Sequence, residues 1–444
     1  MALTIGGPPH DCASDQATGS RLVRLATLIR SSVTLARGRP LPGSTAAVSI
    51  LVAFIAACQP GASGGPGTSR VDTQVLPSPS AAGLPTESPS SGPSLTSGWE
   101  RRAIQTGLGA PLTGVVWTGT HFLAVDTVDG TLLDSADGRT WQQQPRLGDG
   151  YVSQVATGPL GVLAVGSVNA EGVVAIWRST DGRSWTKAPN APSLHGRDGA
   201  FLAMAAVVPT SAGWLAAGGE SLMCVPGACR LVRAVAWTSQ DGLEWTRSAD
   251  TPAMQHAEMT GVVHGPSGYV AVGDAAMDGT LPASAIGPVV WASPDGRTWT
   301  RSDALPAVKA TAGADVGLDG VAATGGRIVA VGHVSTPAAT WSAAFAWRSD
   351  GGPWSSVEIG RFDLSQRVRV VAVHGGLLAM FVTGSDISCS SAIWSSADGS
   401  SWNCAGNDPA FDGAAVFDAA ASPDVEVLVG SDNNGAVVWT SARP

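Results

Sequence analysis

The chain has 444 residues, of which 44% are hydrophobic and only 14% are charged. This composition is typical of a protein with a large buried core, and it excludes disorder of the whole chain. The 35 acidic residues outnumber the 26 basic ones, which gives a net charge of -9, and beyond the N-terminal stretch no block of Lys or Arg stands out. A nucleic-acid partner therefore has no electrostatic basis, and we expect none.

Residues 1–57 are predicted to be a targeting segment, with a translation start near Val33. The apolar run Ala46 to Ala57 follows two arginines, and it is shorter than the roughly 20 residues that a membrane-spanning helix needs. Its end, Ile55-Ala56-Ala57-Cys58, resembles the lipobox of bacterial lipoproteins. The resemblance implies cleavage before Cys58 and lipidation of its thiol, which would anchor the protein to the outside of the cell membrane. The alternative is a signal peptide or buried segment that ends in Cys by accident.

Residues 58–98 are predicted to form a disordered tether. The stretch consists mainly of Ser, Gly, Pro and Thr and contains no aromatic residue. Such a segment cannot bury enough apolar area to become ordered. We expect it to hold a folded domain, residues 99–444, at a distance from the anchor.

One phrase, Ser-x-Asp-Gly-x-x-Trp, recurs along the folded domain. The five full copies and one copy that is a residue shorter end at Trp141, Trp185, Trp245, Trp299, Trp402 and, in the short copy, Trp354. A second Trp stands two residues before the leading Ser in most copies, and these two columns, with Trp99 and Trp439, hold 13 of the 16 tryptophans. In chain order the phrase-ending tryptophans are 44, 60, 54, 55 and 48 residues apart, which is the period of propeller blades.

Each repeat is predicted to contain four short strands. In one repeat, Met259–His264 and Tyr269–Gly273 are two strands of a hairpin, the run into Trp291 is the third, and Arg297–Arg301 is the fourth. We predict a tight turn at Asp295-Gly296, between the third and fourth strands, because Gly readily adopts the left-handed backbone conformation that such a turn requires. The Trp pair that flanks each turn is expected to pack between neighbouring sheets.

The two ends of the domain predict how the ring closes. Val437 to Ser441 matches a third strand that has no fourth after it, and Ser97 to Arg101 matches a fourth strand that has no third before it. Joined, they complete one blade and leave no free sheet edge. The sequence thus predicts an all-β fold, a seven-bladed β-propeller of four-stranded antiparallel blades, with six or eight blades as alternatives if a degenerate repeat is miscounted.

The recurring phrase resembles the Asp-box, or BNR repeat, of sialidases and of many non-enzymatic propellers. It departs from the usual pattern because Gly directly follows the Asp. The resemblance implies that the acids are structural turn acceptors, away from the ligand face. They are Asp137, Asp181, Asp241, Asp295, Asp350 and Asp398.

The residue types argue against sialidase activity. The resemblance implies a Tyr nucleophile, a Glu that assists it, an acid/base Asp and three Arg that hold the substrate carboxylate. Only Tyr151 and Tyr269 are present, in or beside apolar inner-strand runs, and Arg102-Ala103-Ile104 lacks the Pro of the family's Arg-Ile-Pro signature. The sequence also has no nucleophile elbow, zinc-protease helix or phosphate loop.

The candidate ligand-face residues are expected on the loops that follow the fourth and second strands. They are His195, Arg197, Asp198, His256, Glu258 and the acidic set Asp274, Asp315 and Asp319. The alternative is ordinary solvated loop polarity. No calcium-loop spacing is present, and we predict neither a metal site nor a cofactor.

Cysteine usage fits an oxidising compartment. Cys12 lies in the removed segment and Cys58 would carry lipid, which leaves four cysteines. We predict two local disulfides, Cys224–Cys229 in a loop and Cys389–Cys404 across a hairpin.

Together these observations predict a monomeric surface lipoprotein whose propeller binds a glycan, a peptide or a partner protein. The competing hypothesis is a sialidase-like glycosidase or lyase that acts on extracellular glycans.

Overall fold

The protein is a seven-bladed β-propeller in which every blade is a four-stranded antiparallel sheet. The computed structural model describes residues 98–442 without 107–109, 127–129, 149, 169–171, 226–227, 277–285, 309–314, 336–341, 363–367, 374–375, 382–388 and 390. Cys58, the predicted targeting segment and nearly all of the predicted tether lie outside the described residues. The six- and eight-bladed alternatives are wrong.

The strands of each blade follow one another from the centre of the ring outwards. The first strands of blades 1 to 7 are β2 (Leu112–Trp117), β6 (Gly150–Gly158), β10 (Phe201–Thr210), β14 (Ala257–Gly265), β18 (Asp315–Thr324), β22 (Val368–Val373) and β26 (Ala414–Ala421). The second strands are β3 (Phe122–Asp126), β7 (Gly161–Val168), β11 (Gly213–Val225), β15 (Gly268–Ala276), β19 (Arg327–Ser335), β23 (Gly376–Phe381) and β27 (Val425–Asp432). The third strands are β4 (Thr131–Ser135), β8 (Val173–Ser179), β12 (Ala228–Ser239), β16 (Ile286–Ser293), β20 (Ser342–Ser349), β24 (Ile393–Ser396) and β28 (Gly435–Ala442). The fourth strands are β5 (Gln142–Gln143), β9 (Trp185–Lys187), β13 (Thr246–Arg247), β17 (Thr300–Ser302), β21 (Ser355–Phe362), β25 (Asn403–Cys404) and β1 (Glu100–Ala103).

Blade 7 is built from both ends of the domain, as the half-blades predict. Strand β1 pairs antiparallel with β28, and Arg101 lies opposite Trp439 in the register. Arg101 also forms an ion pair with Asp432 at 2.6 Å. The outer edge of β28 is therefore covered, and the ring has no open break at this blade.

Tryptophans of the third strands fill the gaps between blades. Trp237, Trp291, Trp347 and Trp439 are at most 1% exposed. Trp291 and Trp299 of blade 4 pack in one cluster with Leu215 of blade 3, so the expected position of the Trp pair is confirmed. The fourth strand, however, begins at Thr300 rather than Arg297, because the turn before it extends to Trp299.

In five of the six repeated turns the Asp carboxylate accepts backbone N–H groups of its own turn. In blade 4, Asp295 Oδ1 accepts from Ser293 Oγ at 3.1 Å and from the N–H groups of Arg297 and Thr298, each at 2.8 Å. The N–H groups of Thr298 and Arg297 hold the pKa of the Asp295 carboxyl below its usual range. Asp137, Asp181, Asp241 and Asp398 also accept N–H groups of their own turns.

The shortened turn of blade 5 differs from the other five. There Ser349 Oγ donates to the Gly352 carbonyl at 2.8 Å and accepts from the Gly351 N–H at 3.3 Å. The Asp350 carboxylate instead faces Arg348 at 4.0 Å. Among the described contacts Asp350 does not act as the turn acceptor. Three residues after it stands Pro353, which has no N–H, whereas four of its counterparts accept the N–H at that position.

Each regular turn also packs its glycine against the preceding blade. Gly296 has a φ of +72°, and a Cβ at this position would lie 2.9 Å from Leu215 Cδ1 on β11. In the same way, a Cβ at Gly242 would meet Leu163 of blade 2, and one at Gly399 would meet Val329 of blade 5. The glycine is therefore required both for the left-handed backbone and for the approach of two blades.

Cys389 and Cys404 are joined by a disulfide with a Cα–Cα distance of 5.5 Å. The side chains of Cys224 and Cys229 lie outside the described part of the chain. Within the described part, no helix has both the length and the apolar character needed to cross a membrane.

Candidate functional site

The meander order of the strands separates two faces of the propeller. The hairpins between the first and second strands and the Ser-x-Asp-Gly turns lie at one end of each blade, which we call the turn face. The loops between the second and third strands and the linkers to the next blade lie at the other end, which we call the linker face. The recurring acids are thus separated from the linkers by the length of a strand.

The first strands form an inner ring, and in six blades one extra residue interrupts their pairing. The pairing with the second strand skips one residue in β2, β6, β10, β14, β18 and β26. The extra residues are Thr113, Ser153, Ala205, Thr260, Asp319 and Phe417. Such a bulge bends the strand and redirects the side chains beside it.

Side chains near the bulges bond neighbouring blades to one another. Thr260 Oγ1 donates to the Leu318 carbonyl at 2.7 Å, and Gln154 Nε2 donates to the Met204 carbonyl at 2.8 Å. Carboxylates do the same for exposed N–H groups: Asp319 accepts from Val368 N at 3.1 Å, and Asp418 accepts from Val115 N at 2.9 Å. These bonds satisfy backbone groups on the strand edges at the centre of the ring, which have no further strand to pair with.

Four titratable side chains gather where blades 4 and 5 meet. Glu258 and Asp274 are opposite each other in the pairing of β14 with β15. Asp319 Oδ2 lies 2.8 Å from His333 Nδ1. Gly317 makes room for the group, since a Cβ at this position would lie 2.9 Å from His333 Cε1 and 3.3 Å from Asp274 Oδ2. We call Glu258, Asp274, Asp319 and His333 the carboxylate cluster.

The carboxylate cluster contains a carboxyl that titrates near neutral pH. Burial raises the pKa of Asp274, and the charges of Glu258 and Asp319 raise it further, to about 7. The N–H of Leu318, which donates to Asp274 Oδ1 at 2.9 Å, and the nearby His333 act in the opposite direction. Asp274 and Glu258 remain partly exposed, so a solute can reach both carboxyls, of which Asp274 titrates near neutral pH.

A second cluster, in blade 3, is a closed ionic network. Glu220 is fully buried and forms ion pairs with Arg247 at 2.6 Å, Arg233 at 2.8 Å and Arg197 at 3.4 Å. Asp250 bridges Arg197 at 2.7 Å and Arg233 at 3.1 Å. The hydrogen bond from Arg197 holds the pKa of Asp250 below its usual range. This network ties two linkers to the blade between them, and its arginines are already paired.

The two candidate histidines lie in linkers and have different surroundings. His195 follows the 3₁₀ turn Pro192–Leu194, and its ring contacts Asn190. Its carbonyl accepts from Arg247. His256 has a left-handed φ of +54° and bridges blade 3 to blade 4 through its backbone, donating to the Val232 carbonyl at 3.0 Å.

The structure changes the expected location of several candidates. Arg197 and Asp198 lie in a linker as predicted, but Glu258, Asp274 and Asp319 lie within strands. The interpretation of Asp274 and Asp319 as solvated loop polarity is therefore wrong, because both accept backbone N–H groups of the next blade. Asp315 opens β18, and its side chain lies outside the described part.

The two tyrosines also lie apart. Tyr151 is on the first strand β6 and is 43% exposed, whereas Tyr269 is on the second strand β15, where its ring packs edge-on against His264 at 5.1 Å.

Sequence analysis missed His333, Glu220 and the inner-ring acid Asp418. A signal was available for the acids, because Glu and Asp are rare inside apolar strands unless they are paired. Asp418 illustrates this: burial raises its pKa, and Arg369, at 3.1 Å, counteracts that effect. Among the described residues, no His, Cys, Asp and Glu side chains are grouped so as to hold a metal ion.

Comparison with known proteins adds only distant structural similarity. No family model and no curated protein sequence matches the chain. Virginiamycin B lyase from Staphylococcus aureus is 10% identical, with 78% of this chain and 99% of that chain covered and a TM-score of 0.45. The GH93 α-L-arabinofuranosidase of Fusarium graminearum is 12% identical, with coverages of 64% and 89% and a TM-score of 0.39. The fucose-specific lectin from Aleuria aurantia is 12% identical, with coverages of 68% and 97% and a TM-score of 0.39.

Proposed function

We propose that this chain is a glycan-binding surface lipoprotein whose propeller binds its ligand on the linker face, at the carboxylate cluster. The supporting observation is the pairing of Glu258 with an Asp274 whose pKa is about 7. At neutral pH a protonated carboxyl donates a hydrogen bond while an ionised one accepts, and sugar hydroxyls need both kinds of partner. A peptide or a partner protein, the other ligands expected from the sequence, would depend less on a donating carboxyl placed beside an accepting one.

The binding proposal is tested with Asp274→Asn. The amide oxygen of Asn can still accept the Leu318 N–H, but the side chain can no longer ionise. We expect wild-type protein on a glycan array to lose binding between pH 6 and pH 8, and the variant to bind without that loss. A set of bound glycans that is identical for both proteins at both pH values would contradict the proposal.

The same pair of carboxyls favours a second candidate, a glycosidase or lyase. A carboxyl with a raised pKa next to an ionised one can act as general acid and base. Release of reducing sugar or of an unsaturated product from extracellular polysaccharides would support it. Loss of turnover in Glu258→Gln and Asp274→Asn, with binding retained, would assign the reaction to these residues.

The lipid anchor and the family assignment are further proposals. Cys58→Ser should abolish palmitate labelling in the native host and leave an uncleaved precursor, and unchanged labelling would refute lipidation. The five turns in which Asp accepts backbone N–H groups support assignment to the Asp-box propellers. The shortened turn at Asp350 is the exception.

A further inference from the structure

Four of the linkers between blades share a spacing that the linker into blade 2 lacks. In blades 3, 4, 5 and 7 a Pro follows the phrase-ending Trp of the preceding blade by seven residues, at Pro192, Pro252, Pro306 and Pro409. Before blade 2 the corresponding Pro145 follows Trp141 by only four. From the phrase-ending Trp to the next first strand the chain runs nine residues before blade 2, twelve before blades 4 and 7, and sixteen before blades 3 and 5.

The longer linkers cover the third-strand Trp of the blade that they enter. Trp237 Nε1 donates to the Ser193 carbonyl at 2.9 Å, and Trp439 Nε1 donates to the Ala410 carbonyl at 2.7 Å. The indole N–H of Trp177 is the counterpart in blade 2, and it has no acceptor among the described residues. The short linker does not bring a carbonyl to this position.

In several blades a basic side chain on the fourth strand lies against the third-strand Trp. Its partners in blade 2 differ from those in blades 3 and 7. Arg247 donates to the Ser193 carbonyl at 2.8 Å and pairs with Glu220. Arg101 donates to the Asp412 carbonyl at 2.7 Å and pairs with Asp432. Lys187 lies 5.5 Å from the Trp177 ring centre, and within the described part of the chain no carboxylate lies within ion-pair distance of it.

An open groove lies where the short linker fails to cover blade 2. It has a volume of about 360 Å³ and is lined by Pro145, Arg146, Leu147, Trp177, Arg183, Trp185 and Lys187. Trp185 is half-buried, and Lys187 is exposed. Arg183 pairs with Asp134 at 3.1 Å. The Trp185 indole and three cations thus meet on the surface of a chain whose net charge is -9, and Trp177, which is 3% exposed, forms the base of the groove.

We propose that this groove binds an acidic oligosaccharide, with a hexuronate as the recognised sugar. An indole presents an apolar surface to the C–H face of a sugar ring, and the Lys187 ammonium and the Trp177 N–H donate to its carboxylate and hydroxyl oxygens. The ligand supplies the acceptor oxygens that the linker carbonyls supply in blades 3, 4, 5 and 7. The inference deepens the proposed glycan binding but places a ligand on the outer strands of blade 2, apart from the carboxylate cluster.

The test is calorimetric titration of the folded chain with trigalacturonate, with neutral galactotriose and with a hexaglutamate peptide. We expect trigalacturonate alone to bind, more weakly as salt rises. Lys187→Ala should weaken binding about tenfold, as expected for loss of a charge-assisted hydrogen bond. Arg301→Ala is the matched control, because Arg301 holds the same position in blade 4 but pairs with Asp303 at 2.8 Å, and it should leave the affinity unchanged.

Three results would overturn the groove proposal: no binding of trigalacturonate, equal weakening by both substitutions, or equally tight binding of hexaglutamate, which would indicate a site for acidic peptides. A glycan whose binding is altered by Asp274→Asn but not by Lys187→Ala would support the carboxylate cluster alone, and the trigalacturonate titration decides the groove. The two proposals therefore fail separately.

Discussion

The indole N–H of Trp291 donates to the carbonyl of Ala253 at 2.8 Å, across 38 residues of sequence. Trp291 lies on the third strand of blade 4, and Ala253 lies in the 3₁₀ turn Pro252–Met254 of the linker that enters the same blade. The bond fastens the linker to the sheet at the linker face. The same bond forms in blades 3 and 7. The tryptophans therefore position the linker face, on which we propose that a ligand binds.

Trp291→Phe should destabilise the protein more than Trp177→Phe does. Both substitutions replace an indole by a smaller ring, but only the first breaks a described hydrogen bond. We expect a difference of about 1 kcal/mol in the free energy of unfolding, the typical net value of such a bond. Urea unfolding of the two variants measures it, and equal losses would show that the linker bond contributes nothing.

The repeated tryptophans are visible in the sequence because each blade must fill the same gap, and they were enough to predict the propeller and its closure. The spacing between Trp185 and Pro192 was equally visible in the sequence. Its structural role becomes clear only when the structure shows which linker carbonyl the third-strand Trp of the next blade contacts. The carboxylate cluster could not be predicted in this way. Asp274 and Leu318 lie on different blades and 44 residues apart, and no spacing rule relates residues that only the closed ring brings together.

Gly296→Ala should destabilise the protein more than Gly413→Ala. Both glycines have positive φ, +72° and +64°, so both variants pay a similar backbone strain of roughly 1 to 2 kcal/mol. A Cβ at Gly296 would also press on Leu215 of blade 3, whereas nothing lies within 4 Å of one at Gly413. Overpacking should add about 1 to 3 kcal/mol, and thermal melts compare the two. Leu215→Ala in the Gly296→Ala background should recover part of the difference.

Asp295→Ala should lower the melting temperature modestly, and Trp299→Ala should lower it more. The first removes the acceptor of one turn, at a typical cost of about 0.5 to 2 kcal/mol. The second truncates a Trp that is 5% exposed, which typically costs about 3 to 5 kcal/mol. Unchanged stability with loss of ligand binding in Asp295→Ala would move these turns from a structural to a functional role.

Asp274→Asn should become more stable relative to wild type as the pH rises. The pKa of Asp274 is raised from 3.8 to about 7 in the folded chain, so between these values the unfolded chain binds fewer protons, and wild-type stability falls with rising pH. Asn cannot ionise and lacks this fall. The difference between the two proteins should therefore grow up to about pH 7 and then level off.

Urea unfolding at pH 5, 6, 7 and 8 measures this dependence. Asp295→Ala is the control that should not change over this range: the folded-state pKa of Asp295 is depressed, so the stability that its carboxylate contributes is fully present above the unfolded-state pKa and is lost only at lower pH, as the pH falls through the folded-state pKa. A difference between Asp274→Asn and wild type that does not change with pH would mean that the Asp274 carboxyl ionises normally in the folded chain.

Deletion of residues 97–104 should open the propeller, whereas deletion of residues 61–94 should leave its melting curve unchanged. The first deletion removes β1, which pairs with β28, and with it the Arg101–Asp432 ion pair at 2.6 Å. It also removes Trp99, whose ring lies 5.8 Å from that of the fully buried Phe411. An unpaired strand edge and a newly exposed apolar cluster would then lie together on blade 7, and such edges recruit other chains. We expect aggregation or loss of a single cooperative transition, measured by light scattering and calorimetry.

A Trp99→Ala variant, which keeps the strand pairing, separates the loss of the strand from the loss of the apolar contact. It should melt earlier but remain monomeric, because the ring stays closed by the bonds between β1 and β28.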